Sequence, residues 1–426
     1  MSLLDPVSHW LSQAPLLGRL FSAPSLPASA PSASRRDELI RRSPRRDPLT
    51  IHEGFEGLPP ARGRHKLGSG TTLQVSNPQA KPPTGPGLTT MTFNILKGGE
   101  RRDELLRYMR DLERQDRMPD VIALQEANQE IAVALAKEFG FHLAYYGRER
   151  DEKGRLVNGK AVLSRHPIEE SAHYTYGIPE ADRQDAIRRK GKVGELAEDR
   201  GALRVTLQVG GRAVDLFDVH HTLGDAGLNA SQLRQLNALA AESRKAGREV
   251  VVTGDFNANT MIKQDGSWWS AQRDARRGAY DKTDTVEEFQ ARYGTLANTL
   301  GDANAGNIAN SGVRKAFQEL MRLAPDAWDG VADARTRRPD GSLHSAQEAR
   351  KRLNSGKVKE GSEEWRRLQD VADGTTLTAG TRKDGTTPAM GKRFDAFFAT
   401  LTPAMVEIDR STTASDHQPL IAHFEL

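Results

Sequence analysis

Short apolar runs and helical repeats of apolar residues alternate along the chain from about residue 88 onward. The runs with strand character are 90–95, 121–125, 142–146, 160–164, 202–209, 213–220, 249–253, 394–400 and 420–425. Apolar residues at helical spacing lie between them, at Leu105, Leu106, Met109 and Leu112, at Ile131, Leu135 and Phe139, and at Leu233, Leu236, Leu239 and Ala240. This alternation predicts an α/β protein in which helices cover sheets.

Two further patterns refine the predicted architecture. The pair Gly210-Gly211 stands between two strand-like runs and predicts a tight hairpin, so at least one sheet is mixed rather than wholly parallel. Residues 258–391 lose the strand pattern, and we predict a largely helical, polar insertion there. Its clearest helix is marked by Val313, Phe317, Leu320 and Met321.

The first 88 residues differ in composition from the rest. From Ala23 to Ser34 every residue except Leu26 is Ala, Pro or Ser, and pairs of arginines follow. Such sequence buries too little apolar surface to offset its chain entropy. We therefore predict a low-complexity, largely disordered tail over 1–88 and a folded domain over 89–426, interrupted by the insertion.

Composition excludes several classes of chemistry. The 426 residues include no cysteine, which excludes disulfides, thiolate catalysis, zinc–thiolate sites and iron–sulfur clusters. No apolar run reaches the roughly 18 residues of a membrane span, and the N-terminus lacks the pattern of a Sec-type signal. These features predict a soluble protein and leave its compartment open.

Charge adds little about the site. The net charge is +4, and residues 1–88 hold 11 Lys and Arg against 6 Asp and Glu, so the basic excess belongs to the tail. An exported effector often combines such a leader with a hydrolase and no Sec-type signal, and ordinary linkers share the same composition.

Polar residues close or follow apolar strands at five places. The segments are Phe93-Asn94-Ile95, Leu124-Gln125-Glu126, Asp218-Val219-His220-His221, Gly254-Asp255-Phe256-Asn257 and Ser415-Asp416-His417. Strand ends are where α/β folds gather ligand sites. Alone, each segment would be a solvated turn or a structural histidine.

Together and in this order, the five segments resemble the endonuclease/exonuclease/phosphatase superfamily. Segments 159–167 and 200–203 also resemble strands of that family, and Arg393-Phe-Asp395 before the final Ser-Asp-His resembles another of its patterns. The resemblance covers about 90–257 and 392–426. It implies a four-layered α/β sandwich of two packed mixed sheets.

The resemblance also implies a Mg²⁺-dependent phosphoesterase, with Mn²⁺ as a substitute metal. Glu126 and Asn94 are then the metal-site residues, and Asp416 is a second ligand. Their side chains offer the oxygen donors that Mg²⁺ prefers. Both one-metal and two-metal sites are consistent with these residues. His417 is the general base and Asp395 orients it, because a carboxylate on one ring nitrogen raises the basicity of the other. Asp255 positions or activates the water.

The remaining roles concern the phosphate. By resemblance, Asn257 donates to a non-bridging oxygen, and spacing along a strand places it on the face of Asp255. His220 stabilises the transition-state oxygens or protonates the leaving group, and His221 is the alternative; the strand period of two favours His220. Leu96 replaces an acidic residue of the abasic-site enzymes, which disfavours that subgroup.

Three aromatic residues are candidates for substrate binding. Tyr146 ends a strand and could hydrogen-bond a phosphate, and Trp268 and Trp269 could stack on bases or enter a lipid interface. The alternative for the tryptophans is that they pack the insertion onto the domain.

The sequence thus predicts a nuclease-like phosphodiesterase that uses a His/Asp-activated water for in-line attack. The predicted partner is a nucleic acid rather than a phospholipid headgroup, and the predicted state a monomer. The alternative is a lipid-headgroup hydrolase, sphingomyelinase-like or a phosphoinositide phosphatase, with peripheral membrane contact. A catalytically silent binding protein is disfavoured because every expected site residue is present.

Overall fold

Two mixed sheets form the centre of the protein. The computed structural model describes residues 44–58, 71–147, 159–190, 200–223, 225–258, 260, 311–327, 332–337, 343–362, 364–365, 368, 394–409 and 411–426. The strands are β1 (Arg45–Pro48), β2 (Thr50–Glu53), β3 (Thr71–Ser76), β4 (Leu88–Asn94), β5 (Val121–Ala127), β6 (His142–Gly147), β7 (Gly159–Ser164), β8 (Ile168–Thr175), β9 (Gly201–Val209), β10 (Arg212–His220), β11 (Glu249–Asp255), β12 (Ala332–Arg337), β13 (Leu343–Ser345), β14 (Asp395–Ala399), β15 (Thr402–Ile408) and β16 (Leu420–Glu425). The helices are α1 (Arg102–Arg114), α2 (Gln129–Phe139), α3 (Glu180–Lys190), α4 (Ala226–Lys245), α5 (Ser311–Leu323) and α6 (Ala346–Asn354).

Each large sheet combines parallel and antiparallel pairs. The six-stranded sheet has the order β1-β8-β9-β10-β11-β14, and the eight-stranded sheet has the order β15-β16-β4-β5-β7-β6-β3-β2. Within them β10 and β11 run parallel, and so do β4 and β5. These two pairs lie inside the sheets, where both faces are buried. β2 and β3 also run parallel, at the edge of the eight-stranded sheet.

The two sheets pack face to face through aliphatic side chains. Val121, Ala123 and Val162 of the eight-stranded sheet share one buried cluster with Val205 and Leu216 of the six-stranded sheet. The strand period of two turns the intervening residues outward, where helices cover them. The result is a helix–sheet–sheet–helix sandwich, as predicted.

Amphipathic helices form the outer layers. On the eight-stranded sheet, Leu105 and Met109 of α1 pack with Leu135 of α2 against the strands. On the six-stranded sheet, Leu236 of α4 and Phe317 of α5 do the same. The predicted helices around residues 105, 131, 233 and 313 are thereby confirmed, and so are all nine predicted strands.

The hairpin at Gly210-Gly211 is also confirmed. Arg212 pairs with Val209 across a two-residue turn, and both glycines have positive φ, +57° and +81°. That geometry matches the twist of the flanking strands and favours glycine at both positions.

The boundary predicted near residue 88 is too late. β1 pairs with β8 in the six-stranded sheet, and β2 and β3 extend the eight-stranded sheet. Leu49, between β1 and β2, is buried in the inter-sheet cluster. β1 and β2 are short, polar edge strands that gain their order from pairing, so their own composition gives little signal. β3 lies inside the sheet, with Leu73 and Val75 buried in the core. Residues 1–43 and 59–70 lie outside the described part of the chain.

The insertion is not wholly helical. α5 and α6 are present, but β12 and β13 pair as a small antiparallel sheet between them. Because this pair is short and polar, it resembles a loop in sequence. None of the helices in the described part of the chain is long and apolar enough to cross a membrane.

Candidate active site

The predicted catalytic and metal-site residues lie at one end of the sandwich. β4, β5, β10 and β11 all end there, because each parallel pair places two carboxyl ends side by side. β14 runs antiparallel to β11 and therefore begins at this end, with Asp395 opposite Asp255. Side chains distant in sequence thus meet at the edges of two rigid sheets.

Asn94 connects the two sheets. Its side-chain Nδ2 donates to Glu126 Oε1 at 3.1 Å and to Asp255 Oδ2 at 3.1 Å. Its Oδ1 accepts from the backbone N–H of Leu96 at 3.1 Å. The amide nitrogen, rather than the oxygen, therefore faces both carboxylates and fixes the distance between them.

Glu126 occupies a specialised backbone position. Its φ is +55°, and the pairing of β5 with β7 shifts register at this residue. The N–H of Lys97 donates to Glu126 Oε2 at 2.7 Å, and the N–H of Gly98 donates to its carbonyl at 2.6 Å. A non-glycine residue held at positive φ by surrounding hydrogen bonds is typical of functional sites. The carboxylate is about one-fifth exposed.

His417 and Asp395 form a close pair. His417 Nδ1 donates to Asp395 Oδ2 at 2.8 Å, and His417 Nε2 lies 3.8 Å from Asp255 Oδ2. Burial disfavours the charged imidazole, but the charges of Asp395 and Asp255 and the hydrogen bond to Asp395 outweigh it. They raise the pKa of His417 well above its usual value. The neighbouring carboxylates therefore favour the protonated imidazole.

Asp255 lies at the centre of the cluster. Its Oδ1 accepts from the N–H of Asn257 at 2.8 Å, and its Oδ2 faces Asn94, His417 and His220. Burial raises the pKa of Asp255 to about 6, because the lost hydration outweighs the attraction of His417 and the two hydrogen bonds. Asp255 is thus a carboxylate with raised basicity.

The structure places His220, and not His221, in the cluster. His220 Nε2 lies 3.5 Å from Asp255 Oδ2 and 4.0 Å from Glu126 Oε1. His221 points to the opposite face of β10, where its Nε2 hydrogen-bonds the Tyr176 hydroxyl at 3.2 Å and its ring packs against Phe256. Strand alternation separates the two rings, as the sequence predicts.

Asn257 departs from the expected geometry. β11 ends at Asp255 and Asn257 has a φ of +46°, so strand alternation does not extend to its side chain. Its Nδ2 donates to the carbonyl of His221 at 2.9 Å. This bond and the N–H bond to Asp255 tie together the ends of β10 and β11.

Asp416 lies beside His417 on the loop before β16. Ser415 Oγ donates to Asp416 Oδ1 at 3.2 Å and accepts from the N–H of His417 at 3.2 Å. The charge of Asp416 contributes to the raised pKa of His417, after the larger effects named above.

Tyr146 lies between the sheets rather than at an open surface. Its ring stacks on that of His173 with the centroids 3.3 Å apart, and the Nζ of Lys160 is 6.0 Å from its centroid. The tyrosine is 5% exposed, so it lines the interior below the site. Trp268 and Trp269 lie outside the described residues.

Four further polar residues surround the cluster and were not identified as site residues from sequence. Lys160 pairs with Gln125 in register, and Arg200 directly precedes the residue that pairs with His220. Both cations are buried, and after burial itself they lower the pKa of His220 well below its usual value. Gln125 Nε2 donates to Asp218 Oδ1 at 2.6 Å across the two sheets. Lys160 and Arg200 begin strands that the resemblance includes, and that position was the available signal.

The donor set fits a magnesium ion by its chemistry. Among the residues that the structure describes, no three His, Asp or Glu side chains converge as a closed metal cage. Mg²⁺ keeps several waters and takes only one or two protein carboxylates. A partly exposed Glu126, oriented by backbone and amide donors, meets that requirement.

Comparison with known proteins identifies one family. The sequence model of the "Endonuclease/Exonuclease/phosphatase family" matches residues 91–417. No curated protein sequence matches the chain.

Solved structures with a similar course of the chain include three bacterial or archaeal proteins. An AP endonuclease from Archaeoglobus fulgidus has 15% identity, a TM-score of 0.40 and coverage of 80% of this chain and 100% of its own. A 3′ phosphatase from Neisseria, bound to a product DNA hairpin, has 18% identity, a TM-score of 0.42 and the same coverage. A family protein from Bacteroides thetaiotaomicron has 14% identity, a TM-score of 0.44 and coverage of 80% and 96%.

Proposed function

The chain belongs to the endonuclease/exonuclease/phosphatase family, whose members are hydrolases of phosphate esters, and from this premise we propose that it is a Mg²⁺-dependent phosphodiesterase with nuclease-like activity. The observation that carries the proposal is the continuous cluster from Glu126 through Asn94 and Asp255 to His417 and Asp395. It unites a metal-ligand carboxylate with a water-activating pair.

Glu126 is the principal metal-ligand residue in this proposal, and Asp416 a second one. When bound, Mg²⁺ supplies Lewis-acid polarisation of a phosphoryl oxygen and stabilises the leaving oxygen. Asn94 and the N–H of Lys97 orient the Glu126 carboxylate. Such outer contacts fix the direction of a ligand and its affinity.

Asp255 and His417 handle the proton of the attacking water. In this proposal the base is the Asp255 carboxylate, because burial raises its pKa to about 6, and the water proton passes to its Oδ2. This differs from the sequence-based assignment, in which His417 was the base. His417 Nε2 then donates toward the phosphate oxygens, and Asp395 keeps the ring oriented.

His220, Lys160 and Arg200 act on the developing negative charge. His220 faces the carboxylates from the six-stranded sheet, and the two cations lie around it. Positive groups fixed in a buried site stabilise phosphoryl charge without reorganisation. Asn257 supports this arrangement by holding the ends of β10 and β11 together.

Hydrolysis of bis-p-nitrophenyl phosphate with Mg²⁺ tests the proposal. We expect Glu126→Gln, Asp255→Asn and His417→Ala each to lower kcat by about 100-fold or more, with little change in melting temperature. Glu130→Gln is the matched control, because Glu130 is an exposed glutamate on the adjacent helix α2. Mg²⁺ should also raise the melting temperature of the wild type but not of Glu126→Gln.

Full turnover in the Glu126 and Asp255 variants would refute the assigned site. A parallel panel of single-stranded oligonucleotide, sphingomyelin vesicles and phosphoinositide vesicles distinguishes the substrates. Cleavage of lipid without cleavage of the oligonucleotide would replace the nuclease assignment by a lipid-headgroup hydrolase.

A further inference from the structure

The basic strand β1 forms part of the sheet that carries the candidate site. β1 adds to the outer edge of the six-stranded sheet, antiparallel to β8. Registers across this sheet define a single transverse row, in which each residue pairs with the next. The row is Arg45, Thr175, Gly201, His220, Asp255 and Asp395.

Residues paired across neighbouring strands point to the same face of a sheet. Arg45 therefore shares the face of His220 and Asp255, which is the face turned toward Glu126 and Asn94. Thr175 Oγ1 lies 3.3 Å from His173 Nδ1, and His173 stacks on Tyr146 of the opposite sheet, so this face is turned toward the eight-stranded sheet.

Arg45 is an exposed cation on the sheet face that also carries His220. Its side chain is 70% exposed and makes an ion pair of 2.9 Å with Asp47, a contact that contributes little at a surface and is readily exchanged. Lys160 and Arg200 are buried cations near His220. After burial itself, the charges of Lys160 and Arg45 both lower the pKa of His173, so both cations lie close to this ring.

The distance from Arg45 to the site restricts the kind of ligand. Three strand spacings separate Arg45 from His220, about 14 Å in all. A single phosphodiester bound between Glu126 and His220 cannot extend that far. A polynucleotide carries a phosphate about every 3.4 Å of rise and covers the distance within about four nucleotides.

We propose that Arg45 binds a flanking phosphate of a polynucleotide substrate whose scissile phosphate lies at the Glu126–His220 cluster. This inference rests on the proposed phosphodiesterase function and names its substrate class. Arg45 acts on substrate affinity and not on the chemical step, because it lies far from the reacting atoms.

The test compares substrates with one phosphate and with many. We expect Arg45→Gln in the full chain to raise KM for a single-stranded oligonucleotide at least about threefold at low salt and to lower the salt slope of binding by about 0.7. We expect kcat, and KM for bis-p-nitrophenyl phosphate, to stay unchanged. Arg45→Lys should retain most of the affinity.

Arg212→Gln is the matched control. Arg212 is an exposed arginine on the same sheet, half-exposed and weakly paired with Glu249. It begins β10, eight residues from His220, which places it about 26 Å away at the opposite end. The Arg212→Gln substitution removes the same charge at the end of the sandwich opposite the site. We expect KM for the oligonucleotide to stay at the wild-type value.

Fluorescence anisotropy with the labelled oligonucleotide in EDTA measures the same contact without turnover. A weaker complex for Arg45→Gln alone supports the inference even if hydrolysis fails, so failure of the inference and failure of the proposed function are distinguishable. Equal effects of the Arg45 and Arg212 variants would overturn it in favour of overall charge. Loss of binding to phosphatidylserine vesicles with unchanged oligonucleotide binding would overturn it in favour of a membrane surface.

Discussion

At the scale of single residues, the site depends on how each polar group is held rather than on residue type alone. Asn94 donates to two carboxylates, Glu126 is fixed at positive φ, and Asp255 accepts a backbone N–H. Each of these contacts sets a direction or a pKa. Substitution of the partner, and not only of the reacting group, should therefore have measurable consequences.

The first residue-scale prediction concerns the proton on His417. Its raised pKa depends on Asp395 and Asp255 opposing the effect of burial. Asp395→Asn removes one negative charge and the charged hydrogen bond, so we expect the pKa of His417 to fall. ¹⁵N-NMR titration of the metal-free protein measures this, with the His423 resonance, which lies away from the site, as an internal control. An unchanged His417 titration would contradict the assigned pair.

The second prediction concerns the neighbouring His221. Burial lowers its pKa to about 3, with Lys160 and Arg200 adding to the effect. In the unfolded chain its pKa is about 6.5, so the unfolded state binds the extra proton between these values. The stabilisation is complete above about pH 6.5 and is lost as the pH falls toward 3.

Urea unfolding between pH 7 and pH 4 checks this dependence. We expect the free energy of unfolding to fall less steeply on acidification in His221→Gln than in the wild type, although the variant is less stable at pH 7 because it loses the packing against Phe256. Equal slopes in the two proteins would show that His221 does not contribute to acid sensitivity.

At the scale of elements, the parallel pair β10–β11 determines how His220 and Asp255 of the six-stranded sheet meet. Gly254 allows this pairing, since a Cβ there would lie 2.0 Å from the carbonyl oxygen of Val219, and its φ is +135°. A side chain would force β11 away from β10 next to Asp255. The glycine is thus required by close approach as well as by conformation.

Gly254→Ala should therefore destabilise the fold by at least about 3 kcal/mol. The control is Gly247→Ala, which has a φ of +75° but nothing within 4 Å of its added Cβ, and it should cost about 1 kcal/mol of backbone strain. Chemical denaturation measures both values. A small loss for Gly254→Ala would mean that β11 can shift without cost.

At the scale of the whole molecule, the site requires both sheets at once. Asn94 and Glu126 come from the eight-stranded sheet, and Asp255, His220 and Asp395 come from the six-stranded sheet. Their relative position is fixed by the aliphatic layer between the sheets. Residues 43–426 form one compact unit, and the chain enters it through β1 and β2, which join different sheets on either side of Leu49.

Truncation tests the contribution of that entry segment. The reference protein lacks residues 1–43, so it keeps β1 and Leu49 in place. Removal of residues 1–49 deletes β1 and Leu49, and burial of a leucine side chain is worth about 1.5–3 kcal/mol, so the melting temperature should fall. Circular dichroism melts of both truncated proteins check this, and identical melting curves would mean that β1 adds no stability.

The sequence alone determined the parts that depend on local periodicity and on ordered motifs. Apolar alternation predicted nine strands and the helices that cover them, Gly210-Gly211 predicted a hairpin, and strand parity separated His220 from His221. Five motifs in order indicated the family, because each carries its polar residue at a fixed place relative to a strand end. These signals are local, so they can be identified in the sequence without knowledge of the fold.

Only the tertiary structure decided the features that arise from long-range pairing. β1 and β2 are short and polar, and they become strands because they pair at the edges of the sheets. Pairing also placed Arg45 in one row with His220. Strand alternation does not determine the direction of the Asn257 side chain, because β11 ends two residues earlier. Burial raises the pKa of Asp255. Register and burial are properties of the assembled sheets, and no single segment of the sequence contains them.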